Sequence, residues 1–289
     1  VTVGTGGGAG APFGARLAAA MDEHGPLCVG IDPHATLLAD WGLADDAGGL
    51  RTFALTVLDA LAGRVAAVKP QAAFFERHGS AGVAVLEEVV AAGRETGTLV
   101  VVDAKRGDIG STMGAYAEAF LRDGSPLAGD ALTVSPYLGF GSLDPAVDLA
   151  HATGRGLFVL CLTSNKEGHE VQHARTEDGP TVAATMAARA AALNAGERPL
   201  GSVGLVVGAT VGDAAERAGV DLTRVNGPLL APGVGAQGAG AAELARVFGP
   251  ARRQVLASSS RAVLAAGPDP LALRDAAGRA AAEAAAALR

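Results

Sequence analysis

Asp103, Lys105 and Asp108 stand close together in Leu99-Val100-Val101-Val102-Asp103-Ala104-Lys105-Arg106-Gly107-Asp108, where an apolar run breaks into opposite charges. Read as a strand, the run puts Asp103 and Lys105 on one face, with Asp108 a short loop beyond. Packing does not call for such charges at a buried strand end, because each must be desolvated and then compensated. An amine between acids is equipment for stabilising charge and moving protons. The stretch reads as chemistry.

Positioning those groups requires a scaffold, and strand patterns recur along the whole chain. They are expected at Leu27 to Asp32, Val65 to Lys69, Leu99 to Lys105, Ala131 to Pro136, Leu157 to Leu162, Val203 to Ala209, Leu229 to Pro232 and Gln254 to Ser258. Alanine- and leucine-rich helical stretches lie between them, including Leu50 to Leu61, Val83 to Arg94, Thr112 to Leu121, Thr181 to Leu193 and Ala241 to Val247. Unbroken apolar strands imply burial on both faces, as parallel strands covered by helices require. A closed (β/α)8 TIM barrel is therefore expected over an open doubly wound sheet. Asp32, Lys69, Asp103, Lys105, Ser164, Gln237 and Arg261 all fall at or just beyond the carboxyl ends of these strands, the face where such barrels keep their sites. Pro270 to Arg289 reads as a closing helix over the opposite side or the wall.

The chain has 289 residues and a formal net charge of -7, with neither a basic tail nor a basic stripe, which argues against an unselective nucleic-acid surface. Local donors can still capture an anionic small molecule. Cys28 and Cys161 sit inside apolar runs and read as core residues of a protein in a reducing cytoplasm. Residues 1–11, rich in glycine, threonine and alanine, read as a loose leader, and residues 12–289 as a single catalytic domain. No run has the pattern of a membrane span.

Asp103-x-Lys105-x-x-Asp108 resembles the signature of the orotidine 5'-phosphate decarboxylase family. Four further segments agree in order: Gly30-Ile31-Asp32-Pro33, Lys69-Pro70-Gln71-Ala72-Ala73-Phe74-Phe75-Glu76, Leu162-Thr163-Ser164-Asn165, and Pro232-Gly233-Val234-Gly235-Ala236-Gln237-Gly238 followed by Ser260-Arg261. Together they look most like the longer bacterial (type 2) branch. The resemblance implies conversion of orotidine 5'-monophosphate to uridine 5'-monophosphate (UMP) and carbon dioxide in pyrimidine biosynthesis, by a homodimer with no metal or organic cofactor. It implies an alternating network of Lys69, Asp103, Lys105 and Asp108, with Asp108 and the ribose contact Thr112 supplied by the partner subunit. Asp103 would face the substrate carboxylate, and Lys105 would stabilise and then protonate the C6 carbanion. Asp32 and Lys69 would hold ribose hydroxyls, and Ser164 would bond the pyrimidine edge.

Gly233-Val234-Gly235-Ala236-Gln237-Gly238 also satisfies Gly-x-Gly-x-x-Gly, but near the seventh strand and with no acid about twenty residues onward, so a dinucleotide reading is weak. Under the resemblance, Gly235, Gln237 and Arg261 are phosphate donors. Ala239 and Gly240 stand where many family members carry an aspartate, which leaves the anchoring of this loop open. His169-Glu170-Val171-Gln172-His173 matches the zinc-protease pattern His-Glu-x-x-His, but residues 165–180 are polar and loop-like, with no third ligand. A solvent-facing loop is expected there, and Trp41 is expected to be a satellite packing anchor. Rival readings are a related barrel acting on a sugar phosphate and a non-catalytic nucleotide-binding barrel. The first would not bind UMP, and the second would release no carbon dioxide.

Overall fold

The computed structural model describes residues 10–234 and 238–288. Eight parallel strands pair in sequence order: β1 (Leu27–Ile31), β2 (Ala67–Pro70), β3 (Leu99–Arg106), β4 (Ala131–Val134), β5 (Gly156–Leu162), β6 (Val203–Val207), β7 (Leu229–Pro232) and β8 (Val255–Ser259). Closure comes from β8 returning to β1, with Leu27 beside Ala257 and Val29 beside Ser259. The expected closed (β/α)8 barrel is therefore the observed one. Every residue of β1, β2, β4, β6 and β8 is buried, as strands inside a ring of helices must be.

Alternation along the strands separates two cores. Residues such as Cys28, Ala67, Val101, Phe158 and Leu256 fill the barrel interior, while their neighbours in sequence point outward to the helices. The interior is closed from below by the helix Phe13–His24, an element not singled out from the sequence. Phe13 and Leu17 are fully buried in the interior cluster, and Phe13 meets Phe158 edge-on with ring centroids 5.9 Å apart. Gly156 makes that insertion possible, because a Cβ there would lie 2.1 Å from the Phe13 ring. Burying each of these two side chains contributes about 1.5–3 kcal/mol.

The last helix, Pro270–Leu288, packs along the helix Ala47–Leu61 and against β1 and β8, so it belongs to the wall. Trp41 joins the main outer core instead of forming a satellite: its indole donates to the Leu264 carbonyl at 3.1 Å and its ring lies 4.2 Å from that of Phe53. Cys28 and Cys161 are both free and buried, and burial pushes each thiol up to about 12. Among the described residues no helix is long and apolar enough to cross a membrane.

Candidate active site

The strand that carries the charges is irregular where they occur. β3 pairs with β4 in step to Val102 beside Leu132, then shifts register so that Arg106 lies beside Val134. Within this bulge Lys105 adopts φ +48°, a left-handed conformation that a side-chain-bearing residue holds only when its surroundings fix it. Thr133 of β4 does much of the fixing. Its hydroxyl accepts from the Lys105 backbone N–H at 3.0 Å and donates to Asp103 Oδ1 at 2.8 Å. Gly107 follows because a side chain there would run into the Ser135 carbonyl at 2.3 Å. The expectation that Asp103 and Lys105 share a face is met, but through a bulge and not through the regular pleat.

Asp103 is shared between two ammonium groups. Lys69 Nζ, delivered by the end of β2, donates to Asp103 Oδ2 at 2.7 Å, and Lys105 Nζ donates to Oδ1 at 2.6 Å. Lys69 and Asp103 are only 5% and 6% exposed, so these charges interact with little water between them. Burial alone would raise the Asp103 carboxyl, but the charges and hydrogen bonds of Lys69 and Lys105 outweigh it and hold the group down at about 2. Burial likewise opposes charge on Lys69, and Asp103 with Asp32 overcomes it, leaving the ammonium above its ordinary value. The result is a buried Lys69–Asp103 ion pair to which Lys105 is hydrogen-bonded, on the carboxyl-end face.

Arg106, outward-facing in the same bulge, ties the surrounding elements together. Its guanidinium bonds the Glu76 carboxylate, donates to the Ala104 carbonyl at 3.1 Å, and lies over the rings of Tyr116 and Phe120 at 5.6 and 5.4 Å. Asp32, just beyond β1, has a buried Oδ1 with no hydrogen-bond partner, an acceptor waiting for a donor. Gly30 beneath it lets Ser260 close in from β8, since a Cβ at position 30 would sit 1.9 Å from the serine hydroxyl.

Other expected residues reach the same face without joining the cluster. Asp108 forms no ion pair with Lys105 in its own chain and instead accepts from the Ile109 N–H at 2.8 Å. Thr112 is exposed on the first turn of the helix Gly110–Leu121. Ser164 is exposed in the turn after β5, and Arg261 is exposed at the start of the short helix that follows β8. Gly235 and Gln237 lie outside the described residues. The chain on either side of them is anchored: Val234 bridges to Ala239, the Ala239 N–H donates to the Gly233 carbonyl at 2.8 Å, and the Gly240 N–H donates to Glu243 at 3.1 Å. The Gly240–Glu243 bond caps the helix Ala241–Phe248 that follows.

A cavity of about 650 Å3 opens beside Lys105, between the loops after β4 and β5, with Tyr137, Leu160, Thr163 and Met186 among its walls. Of the expected site residues only Lys105 lines it; Asp32, Lys69, Asp103, Ser164 and Arg261 stand outside its walls. The His-Glu-x-x-His segment is not the loop expected, because His169–Gln172 forms one helical turn on which His169 and His173 stack at 4.0 Å. Among the described residues no group of three His, Cys, Asp or Glu side chains is arranged to hold a metal.

The model of the Orotidine 5'-phosphate decarboxylase / HUMPS family matches residues 25–276. The chain belongs to this family. A Streptomyces coelicolor relative named orotidine 5'-phosphate decarboxylase is 66% identical over 272 residues, covering 94% of this chain and 96% of the relative. One of the same name from Salinispora arenicola is 62% identical over 276 residues, covering 96% and 98%. A crystal structure from Streptomyces avermitilis superimposes with a TM-score of 0.94 at 64% identity, covering 99% of both chains. The orotidine 5'-phosphate decarboxylase of Leishmania donovani gives 0.74 at 32% identity, covering 96% and 98%.

Three features around the site escaped the sequence reading. Thr133 could have been noticed as the polar residue within Ala131–Val134, an otherwise apolar strand. The Arg106–Glu76 pair and the contacts of Gln172 join residues distant in sequence, and carry no local signal.

Proposed function

We propose that this chain converts orotidine 5'-monophosphate to UMP and carbon dioxide, as a lyase of pyrimidine biosynthesis, with Lys105 as the proton donor. The observation that carries the reading is Asp103 held anionic between the ammonium groups of Lys69 and Lys105. A substrate carboxylate beside Asp103 is favoured to leave as carbon dioxide. The C6–carboxylate bond breaks, its electron pair stays on C6, and the Lys105 ammonium first stabilises and then protonates that carbon. The neutral amine recovers its proton from water.

Asp32 and Lys69 take the ribose hydroxyls, for which the unpartnered Asp32 Oδ1 is suited. Ser164 bonds the pyrimidine edge, while Gly235, Gln237 and Arg261 take the phosphate. Residues 12–289 act as one catalytic domain, and the site is completed in a homodimer by Asp108 and Thr112 of the second copy. Support for the dimer comes from Asp108, which makes no ion pair among the described residues, and from an apolar rim: Ile109, Tyr137 and Leu138 are 62%, 74% and 53% exposed on neighbouring loops.

The deciding experiment incubates the metal-stripped chain with orotidine 5'-monophosphate and follows loss of orotate absorbance together with release of carbon dioxide. Turnover without added cofactor is expected. UMP binding without carbon dioxide release would leave a nucleotide-binding barrel, and absence of both would favour a sugar-phosphate enzyme.

A further inference from the structure

The segment His169-Glu170-Val171-Gln172-His173 is tied directly to the turn after β5. Thr163, the first residue beyond that strand, is held twice by one side chain: its backbone N–H donates to Gln172 Oε1 at 2.9 Å, and Gln172 Nε2 donates to its hydroxyl at 2.7 Å. Both ends of the amide are used, and the backbone donor fixes which end is which. The Thr163 hydroxyl donates onward to Asn165 Oδ1 at 2.6 Å, and Asn165 Nδ2 donates to Glu167 Oε2 at 3.1 Å. All donors run the same way along this chain and end on a carboxylate, an order in which successive bonds polarise one another. Ser164, itself exposed, is flanked in sequence by two members of that network, Thr163 and Asn165.

The neighbouring backbone is cut to fit it. A side chain at Gly168 would meet the Thr163 hydroxyl at 2.9 Å and both amide atoms of Gln172 at 3.1 Å. From β6, Gly208 comes so close that a Cβ would lie 3.2 Å from Ser164 N. The stacked rings of His169 and His173 brace the single helical turn that presents Gln172. Nothing in this arrangement is required by the barrel, since β5 has already ended at Leu162.

We infer that Gln172 is a positioning residue that sets the Ser164 turn for recognition of the pyrimidine, and thereby favours ligands carrying the base over the bare sugar phosphate. The inference rests on the proposed role of Ser164. Ribose and phosphate groups are assigned to the ends of other strands, so loosening this turn weakens base recognition alone.

The test titrates the full chain calorimetrically with UMP and with ribose 5-phosphate, which lacks the base. Gln172→Met keeps the side-chain length and removes both hydrogen bonds; it is expected to weaken UMP about tenfold while ribose 5-phosphate changes less than about twofold. Gln172→Glu retains an acceptor for the Thr163 N–H but loses the donor to the hydroxyl, and recovers only part of that loss. Thr163→Val breaks the hydroxyl link without touching the helical turn, and shows the same selective weakening. Equal losses for both ligands, or no loss of UMP, in Gln172→Met would overturn the inference, and Thr163→Val decides it should Gln172→Met not fold. Ser164→Ala is measured in parallel. An unchanged UMP to ribose 5-phosphate ratio there removes the role proposed for Ser164, whereas the Gln172→Met ratio judges the clip itself.

Discussion

Lys105 donates to Asp103 at 2.6 Å although the backbone between them is bulged and Lys105 itself sits at φ +48°. Strained backbone of this kind persists only where several contacts over-determine it. Here Thr133 holds both residues, and the Asp103 carboxylate is held in turn from β2 by Lys69. The ammonium is therefore aimed before any ligand arrives, which is the condition for electrostatic catalysis without reorganisation.

Lys105→Ala should cut turnover by at least roughly 10²–10⁴-fold, the usual worth of a positioned proton donor. Circular dichroism should report an intact barrel, because Lys105 is at the exposed rim. Near-normal turnover in clean mutant protein would exclude the assigned role.

Glu76→Gln removes the charge that holds Arg106, the residue next to Lys105 in the bulge. Steady-state kinetics should show kcat lowered by about three- to tenfold with KM nearly unchanged, as expected when a reacting group is displaced but ligand contacts remain. A rise in KM at constant kcat would mean that the pair supports binding instead.

Arg261→Ala should weaken UMP by about ten- to a hundredfold through loss of a charge-assisted contact, and uridine much less. Equal losses for nucleotide and nucleoside would assign Arg261 to the fold.

Asp108 makes no ion pair among the described residues and accepts only the Ile109 N–H beside it, so inactive Lys105→Ala and Asp108→Ala chains should rescue one another when mixed. In each mixed dimer one site combines both defects and the other is whole. Equal mixing with free exchange should restore about a quarter of wild-type site activity. Mixed dimers confirmed by mass measurement, yet no more active than either parent, would defeat the shared site.

The Asp103–Lys69 pair should be insensitive to pH across the neutral range. Asp103 is depressed from 3.8 to about 2, so its contribution to stability is complete above its unfolded value and is lost as pH falls through about 4 toward 2. That contribution is about 2 kcal/mol. Lys69 is raised above 10.5, so its contribution is complete below that value and is lost only at still higher pH. A carbon-13 titration of the Asp103 carboxyl should find it ionised down to about pH 2. A midpoint near 4 would contradict the pairing.

The barrel was legible because its strands are short unbroken apolar runs, and each catalytic candidate is a polar residue where such a run stops. Asp103 and Lys105 could be linked from spacing alone. What spacing could not supply is the bulge, which depends on Thr133 across the sheet, or the plug Phe13–His24, whose place depends on Gly156 far along the chain. Gln172 was hidden for a similar reason: its motif advertised two histidines, while its hydrogen bonds run to a threonine on the other side of a turn. Contacts between distant segments decided each of these features, and no local pattern encodes them.

Phe13 and Leu17 stop the barrel's lower mouth, and the side chains above them leave its axis filled. Entry and exit therefore share one opening: nucleotide in, nucleotide out and gas out all use the doorway at the upper rim. Changes to the floor alter how firmly the barrel holds together, whereas changes to the rim alter how quickly the doorway clears.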